Sequence, residues 1–231
     1  MKRLLLILLL NGFFLFLLNA QHARFEVGIE GGPGFSTLYG NEPMRDYTQM
    51  IFAGFGGASF QYHFSNHFSL RTGLRYERKG THVNINNWDF QSDYLYHFNY
   101  LTLPVVVQAE FGKKVRFYIN AGPYFSYLLS QKYVRQAKDL PPDHGQGLLI
   151  GASSLRNTVN YDAGLSTEIG VRIAFSEKTG MSLGVAEHFG LVNTKKSPLY
   201  TTTTWAPVYT IADSFNNALS FVIGFSYKIG S

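Results

Sequence analysis

From Arg24 onward, apolar and polar side chains alternate with a period of two, and this constrains the fold more than any other feature of the chain. Successive side chains of a strand point to opposite faces, so such a run makes a strand with one greasy and one wet face. The cleanest stretch sets Phe68, Leu70, Thr72, Leu74 and Tyr76 against Ser69, Arg71, Gly73, Arg75 and Glu77. Phe25, Val27 and Ile29 alternate in the same way with Glu26, Gly28 and Glu30, and Leu101, Leu103, Val105, Val107 and Ala109 continue the pattern. Three more runs follow, over 115–127, 161–175 and 219–227, with Arg116, Tyr118, Asn120, Asp162, Glu168, Arg172, Ser220 and Lys228 on their polar faces. Two segments are less regular. Residues 51–64 carry Phe52, Gly54, Gly56, Ala58, Phe60, Tyr62 and Phe64 on the greasier face, and 181–191 alternates well only up to Val185. The count is eight strands. Alternation also explains a composition of 16% aromatic residues and 23 glycines at a mean hydropathy of only −0.05.

The connections order these strands. Ser65-Asn66-His67, Gly112-Lys113-Lys114 and residues 176–180 are short turns, whereas 40–49, 82–93, 134–160 and 193–217 are long and polar. Long and short strictly alternate, as in antiparallel outer-membrane barrels with short periplasmic turns and longer external loops. The expected fold is therefore all-β, an eight-stranded antiparallel transmembrane β-barrel whose mature N-terminus is periplasmic. Lys2 and Arg3, the apolar run 4–18 and the small residue Ala20 read as a secretory signal peptide over 1–20, leaving 21–231 as the barrel domain. The run is shorter than the roughly 20 residues of a spanning helix. Cysteine is absent, so neither disulfides nor lipid attachment through a Cys are expected. Removing Lys2 and Arg3 leaves 18 basic against 15 acidic residues, interspersed, with no footprint for nucleic acid.

A soluble, lipocalin-like ligand carrier would show the same period with the faces exchanged. Three features favour lipid outside. The polar face carries both signs, with Glu26, Glu30, Glu77, Asp162 and Glu168 against Arg71, Arg75, Arg116, Arg172 and Lys228, as a narrow lumen filled by ion pairs requires. It is rich in glycine, and aromatic residues (Phe64, Phe68, Phe111, Phe117, Phe175, Tyr227) gather beside the short turns as an interfacial girdle would. Eight strands enclose a space that side chains fill, so Arg71, Arg75, Glu77, Arg116, Asp162, Glu168 and Arg172 are expected to form a structural charge network in a closed lumen. The competing reading of Arg71, Arg75 and Arg172 is an anion-selective constriction.

The stretch Gly73-Leu74-Arg75-Tyr76-Glu77-Arg78-Lys79-Gly80 resembles the G-L-x-Y-x-x-K-G strand end of the PorT-like outer-membrane β-barrel family of Bacteroidota. Tyr100-Leu101-Thr102-Leu103-Pro104 is similar to its Y-L-x-I/L-P strand, and Gly122-Pro123-Tyr124 to the glycine-aromatic segment that follows. The resemblance makes Gly73, Tyr76, Lys79, Gly80, Leu101, Pro104 and Gly122 its motif residues, and implies a cell-envelope protein with a role in protein secretion across the outer membrane. Proline removes a ladder donor, so a bulge or bend is expected at Pro104. The chain ends on Tyr227-Lys228-Ile229-Gly230-Ser231 instead of a terminal aromatic, which leaves Phe225 and Tyr227 as anchors for assembly.

Some small barrels modify lipids. His188, with Glu187 beside it and Ser182 on the same parity, is the candidate base, and Ser166 or Ser126 are candidate cross-strand partners. A lone inward histidine fits a hydrogen-bond network better. His63, His67, His82, His97 and His144 have no carboxylate at metal-site spacing, so no metal or cofactor is expected. Lys132, Arg135 and Lys138 open the longest external loop and could meet lipopolysaccharide phosphates or a protein. The reading is a non-enzymatic barrel in contact with outer-membrane lipids, anchoring or binding envelope protein partners through external loops. The alternatives are a lipid-modifying barrel enzyme and a soluble periplasmic ligand-binding barrel.

Overall fold

The computed structural model describes residues 24–40, 48–87, 90–135, 158–194 and 213–229, so the signal peptide assigned to 1–20 lies outside the described residues. The strands are β1 (Arg24–Gly40), β2 (Thr48–Gln49), β3 (Ile51–His63), β4 (Phe68–Asn87), β5 (Phe90–Gly112), β6 (Val115–Arg135), β7 (Tyr161–Ala174), β8 (Thr179–Gly190) and β9 (Ser214–Ile229). Each long strand pairs antiparallel with its chain neighbours, β1 pairs with both β3 and β9, and the ring closes. The two-residue β2 prolongs β3 at the outer end, between β4 and β1: it pairs with β4 through Thr48↔Val83 and Gln49↔His82, and the Thr48 hydroxyl donates to the Leu38 carbonyl at 3.1 Å. Closure removes every sheet edge within the ring, and a chain crossing lipid with strands requires that.

Three tight turns sit at one end, together with the start of β1 and the finish of β9, where Phe25 faces Ile229. Ser65 Oγ accepts the amides of His67 (3.2 Å) and Phe68 (2.8 Å), and Ser176 Oγ accepts those of Lys178 (3.2 Å) and Thr179 (3.0 Å). The third turn uses Gly112 at φ 123°, where a side chain would be strained.

The wall is uneven. β4, β5 and β6 run to 20, 23 and 21 residues, against 13, 14 and 12 for β3, β7 and β8. About 9–11 residues suffice to cross a membrane, so three strands rise well beyond it on the side opposite the turns. This corrects the assignment of 82–93 as a long polar loop. β4 and β5 stay paired through Asn84↔Asp93 to Asn87↔Phe90. Val83 and Ile85 still alternate with His82, Asn84 and Asn86, and their β-branched shapes favour a pleated strand that high polarity disguised.

Pro104 interrupts pairing without shifting the register. The β4–β5 ladder passes from Thr72↔Val105 to Arg75↔Thr102 and the β5–β6 ladder from Pro104↔Tyr124 to Val107↔Ala121, each skipping two pairs, and the one register shift between β5 and β6 lies earlier, at Asn99/Tyr100. There Asn99 pairs with Ser130 and Tyr100 with Leu128, so Leu129 is the extra residue. The Pro104 carbonyl accepts the Thr72 hydroxyl at 2.8 Å.

The apolar parity faces outward. Phe117 is 65% and Ile169 61% exposed, and Phe35, Phe52, Phe125, Leu165 and Phe221 share that outer surface. The interior instead buries Glu26, Glu30, Arg71, Arg75, Glu77, Glu110, Asp162, Glu168 and Arg172. A soluble carrier would need these faces exchanged.

Candidate functional site

The lumen is built by the inward parity of every long strand. β4 contributes a column of charge, Arg71, Arg75, Glu77 and Lys79, because inward positions recur every second residue, about 7 Å apart. Opposite it stand Glu26 and Glu30 on β1, Asp162, Glu168 and Arg172 on β7, and His188 on β8, all buried.

These groups form three tiers. Nearest the turns, Arg172 reaches Glu26 (3.2 Å), Glu110 (2.9 Å) and the Gln61 carbonyl oxygen (3.0 Å). His63 Nε2 lies 3.0 Å from Glu26, and Arg116 reaches Glu110 at 3.5 Å from a side chain that is 33% exposed. In the middle tier Glu30 bonds Arg71 and, at 2.6 Å, Arg75 Nε. Glu168 lies 3.5 Å from Arg71 and 3.6 Å from Arg75, and accepts the Tyr118 hydroxyl at 2.6 Å. In the upper tier Lys79, fully buried, lies 3.4 Å from Glu77 and 3.3 Å from Asp162. Its ammonium also sits over the rings of Tyr124 (4.6 Å) and Tyr100 (5.4 Å). Asp162 accepts further bonds from Tyr124 (3.0 Å) and Asn216 (3.0 Å), and Thr102 donates to Glu77 at 2.8 Å.

Such pairing is what burial demands, since an unpaired charge inside costs several kcal/mol. Above Lys79 the contents turn apolar, with Leu38, Val83, Tyr96, Phe98 and Tyr100 packing together and Tyr94 and Leu128 resting against them. Ion pairs and, beyond them, an apolar cluster thus fill the described part of the lumen in series.

Of the residues named for the network, Arg71, Arg75, Glu77, Asp162, Glu168 and Arg172 are buried within it, while Arg116 stands at the turn-end rim. Lys79 and Glu110 belong to it as well. Lys79, a motif residue, and Glu110, at the end of the apolar run of β5, share the parity of Glu77 and Gln108, which places both inward. Of the other motif residues, Gly73, Tyr76, Leu101, Pro104 and Gly122 belong to the walls of β4, β5 and β6, and Gly80 donates its amide to Ser36 Oγ at 2.7 Å.

His188 is held inside the network. Nδ1 lies 2.7 Å from Glu77, Nε2 lies 3.5 Å from Arg75, and the ring stacks on Tyr124 with centroids 4.8 Å apart. Both ring nitrogens are thus turned toward charged side chains. Ser166 faces His188 in register, but both are buried, and Ser126 shares its hydroxyl with Thr102 at 2.8 Å. Glu187 points the other way, to Asn217 at 3.1 Å. The site can hold charge, and His188, Glu77 and Arg75 line one small cavity together. Among the described residues no group of His, Asp or Glu is arranged to hold a metal. His144, Lys138 and the side chain of Arg135 lie outside the described residues.

Residues 19–196 match the family described as outer membrane protein beta-barrel domain. No match was found among curated proteins. Among solved structures the chain is similar to OprG of Pseudomonas aeruginosa, at 13% identity and a TM-score of 0.50, covering 91% of this chain and 98% of OprG. Neisserial surface protein A aligns at 13% identity and a TM-score of 0.40, over 89% of this chain and 97% of that one. The N-terminal barrel domain of OprF from Pseudomonas aeruginosa aligns at 12% identity and 0.39, over 90% and 100%. At such identity the likeness to OprG speaks for the fold. A closed antiparallel ring with an apolar exterior and a charged interior, matched over more than three quarters of its length, places this chain in the outer membrane as a member of the outer membrane protein beta-barrel domain family.

Proposed function

We propose that this barrel is a non-enzymatic anchor that binds envelope protein partners at its outer end. The observation that carries the reading is the occluded lumen: tiers of paired charge under an apolar cap leave the surfaces as the place where the protein acts. The tall wall of β4, β5 and β6 supplies such a surface, raising Ser130, Lys132 and Tyr133 on the exposed outer part of β6. Its resemblance to PorT-like barrels supports secretion machinery as the partner class. The network is structural in this account, tying the strands together through the lumen.

Site-specific photo-crosslinking in intact cells tests it. A crosslinker replacing Ser130 should yield a discrete adduct with an envelope protein, and one replacing Ser65 at the turn end should not. Equal adducts from both ends, or none from the outer rim, would refute outer-end binding. His188→Ala should leave the lipid A acylation profile unchanged; an altered profile would favour a lipid-modifying enzyme.

A further inference from the structure

Charges are matched throughout the lumen, but not at its turn-end mouth. A small, open cleft lies there between the β5–β6 and β7–β8 turns and the ends of β1 and β9. Lys114, Arg116, Arg172, Lys178 and Lys228 line it, with the hydroxyls of Ser176, Thr179 and Ser226. Its two carboxylates are Glu26 and Glu177. Glu26 is already engaged by His63 and Arg172, and Arg116 is taken by Glu110. Among the described residues, no carboxylate lies within ion-pair distance of Lys114, Lys178 or Lys228.

Arg172 supplies an independent sign. Its side chain is buried, its Nη atoms are occupied by Glu26, Glu110 and Gln61, and its Nε–H is buried with no acceptor. A buried donor without an acceptor is costly, and here it belongs to a residue that lines a concave, electropositive cleft. Five cationic side chains converge from three separate pieces of chain, β5–β6, β7–β8 and β9, against two carboxylates. Such an arrangement suits an anion bearing more than one negative charge and several acceptor oxygens, to which charge-assisted bonds can run from different sides.

We infer that this mouth is a binding site for a phosphate-type oxyanion, either free in the periplasm or carried on a phospholipid headgroup. The full barrel, folded in maltoside micelles at low ionic strength, is titrated with inorganic pyrophosphate by calorimetry. Saturable one-to-one binding is expected, weakened about tenfold or more by the double substitution Lys114→Gln and Lys228→Gln. Lys113→Gln with Arg78→Gln removes the same charge at exposed positions outside the cleft and should leave affinity within about twofold. Heat-modifiable migration checks that each variant forms the barrel. Lys178→Gln, on the exposed turn, tests the same contact if the first pair does not fold, with about threefold weakening expected. No saturation by the unsubstituted barrel, or equal weakening by the two double variants, overturns the inference. Nanodiscs separate the sources. Competition by phosphatidylglycerol but not phosphatidylcholine discs identifies the headgroup as occupant, and equal affinity in both identifies a soluble anion.

Discussion

Arg75→Leu tests whether the lumen network holds the barrel together or conducts. Arg75 is buried, donates from Nε to Glu30 at 2.6 Å, lies 3.6 Å from Glu168, and places its guanidinium 4.9 Å from the centre of the Phe55 ring. Removing one member of a buried ion pair costs about 3–5 kcal/mol, because the other is left without its counter-charge. Glu30 and Glu168 both keep Arg71, which sets the electrostatic loss at the low end. Losing the cation–π contact adds about 0.5–2 kcal/mol. Leucine returns about 1–2 kcal/mol by filling apolar space. The net loss is about 3 kcal/mol, or a fall of about 1–3 M in the urea midpoint at an m-value of about 1–3 kcal/mol/M. Urea titration of the detergent-folded barrel, read by heat-modifiable gel migration, measures it. Adding Glu30→Leu removes the stranded carboxylate, so the double variant should be less destabilised than the sum of the two singles by about 1–3 kcal/mol. A midpoint within about 0.3 M of the unsubstituted barrel would refute the reasoning. So would planar-bilayer recordings of large anion-selective channels that vanish on the replacement.

Other perturbations probe the wall and the interior separately. Ile169→Arg puts a cation on the lipid face at mid-strand and should cost about 2–4 kcal/mol, whereas Phe175→Arg, beside the turn, should cost about 0–1 kcal/mol; unfolding in lipid vesicles compares the two, and equal costs would argue against a membrane-spanning depth profile. Gly164→Ala should abolish the folded gel species, because a Cβ there would lie 2.0 Å from the Phe189 carbonyl oxygen, while Gly56→Ala, with nothing within 4 Å, should fold normally. Tyr124→Phe deletes the hydroxyl donated to Asp162 at 3.0 Å and should lower stability by about 1.5–3 kcal/mol in the same urea assay.

The period of two carried most of this fold, because one physical fact, alternate side chains on opposite faces, decides strand identity, wall orientation and lumen content together. The three short turns were legible from their small and polar residues. Strand length was less so. A strand that leaves the membrane no longer needs an apolar face, and the polar residues His82, Asn84 and Asn86 then look like a loop. Pro104 was legible in part. Its missing donor marks a gap in the ladders on both sides, but the register holds across that gap, and the bulge lies at Asn99/Tyr100, which no residue type advertises. The network's members followed from parity, but their partners did not. That Lys79 pairs with Asp162, 83 positions away, is set by barrel closure and by neighbours that sequence order does not reveal.

Position along the axis explains why the interior is polar at all. Where the barrel crosses lipid, the inner surface is narrow and cut off from bulk water, so every charge there needs a counter-charge within reach, and the tiers around Arg172, Arg71 and Lys79 supply one to each. Toward the outer end this requirement is met differently. Tyr96, Phe98 and Tyr100 replace ions with rings on the inward face of β5, so the occlusion extends above the last ion pair without further desolvated charge. At the turn end neither solution is used. Among the described residues, Lys114, Lys178 and Lys228 stand around a cleft with no carboxylate in direct ion-pair contact, a condition that water or a bound anion can sustain and a sealed lumen cannot. Structural and interactive charges are thus separated by depth, and the unpaired cations gather at the end where an anion can reach them.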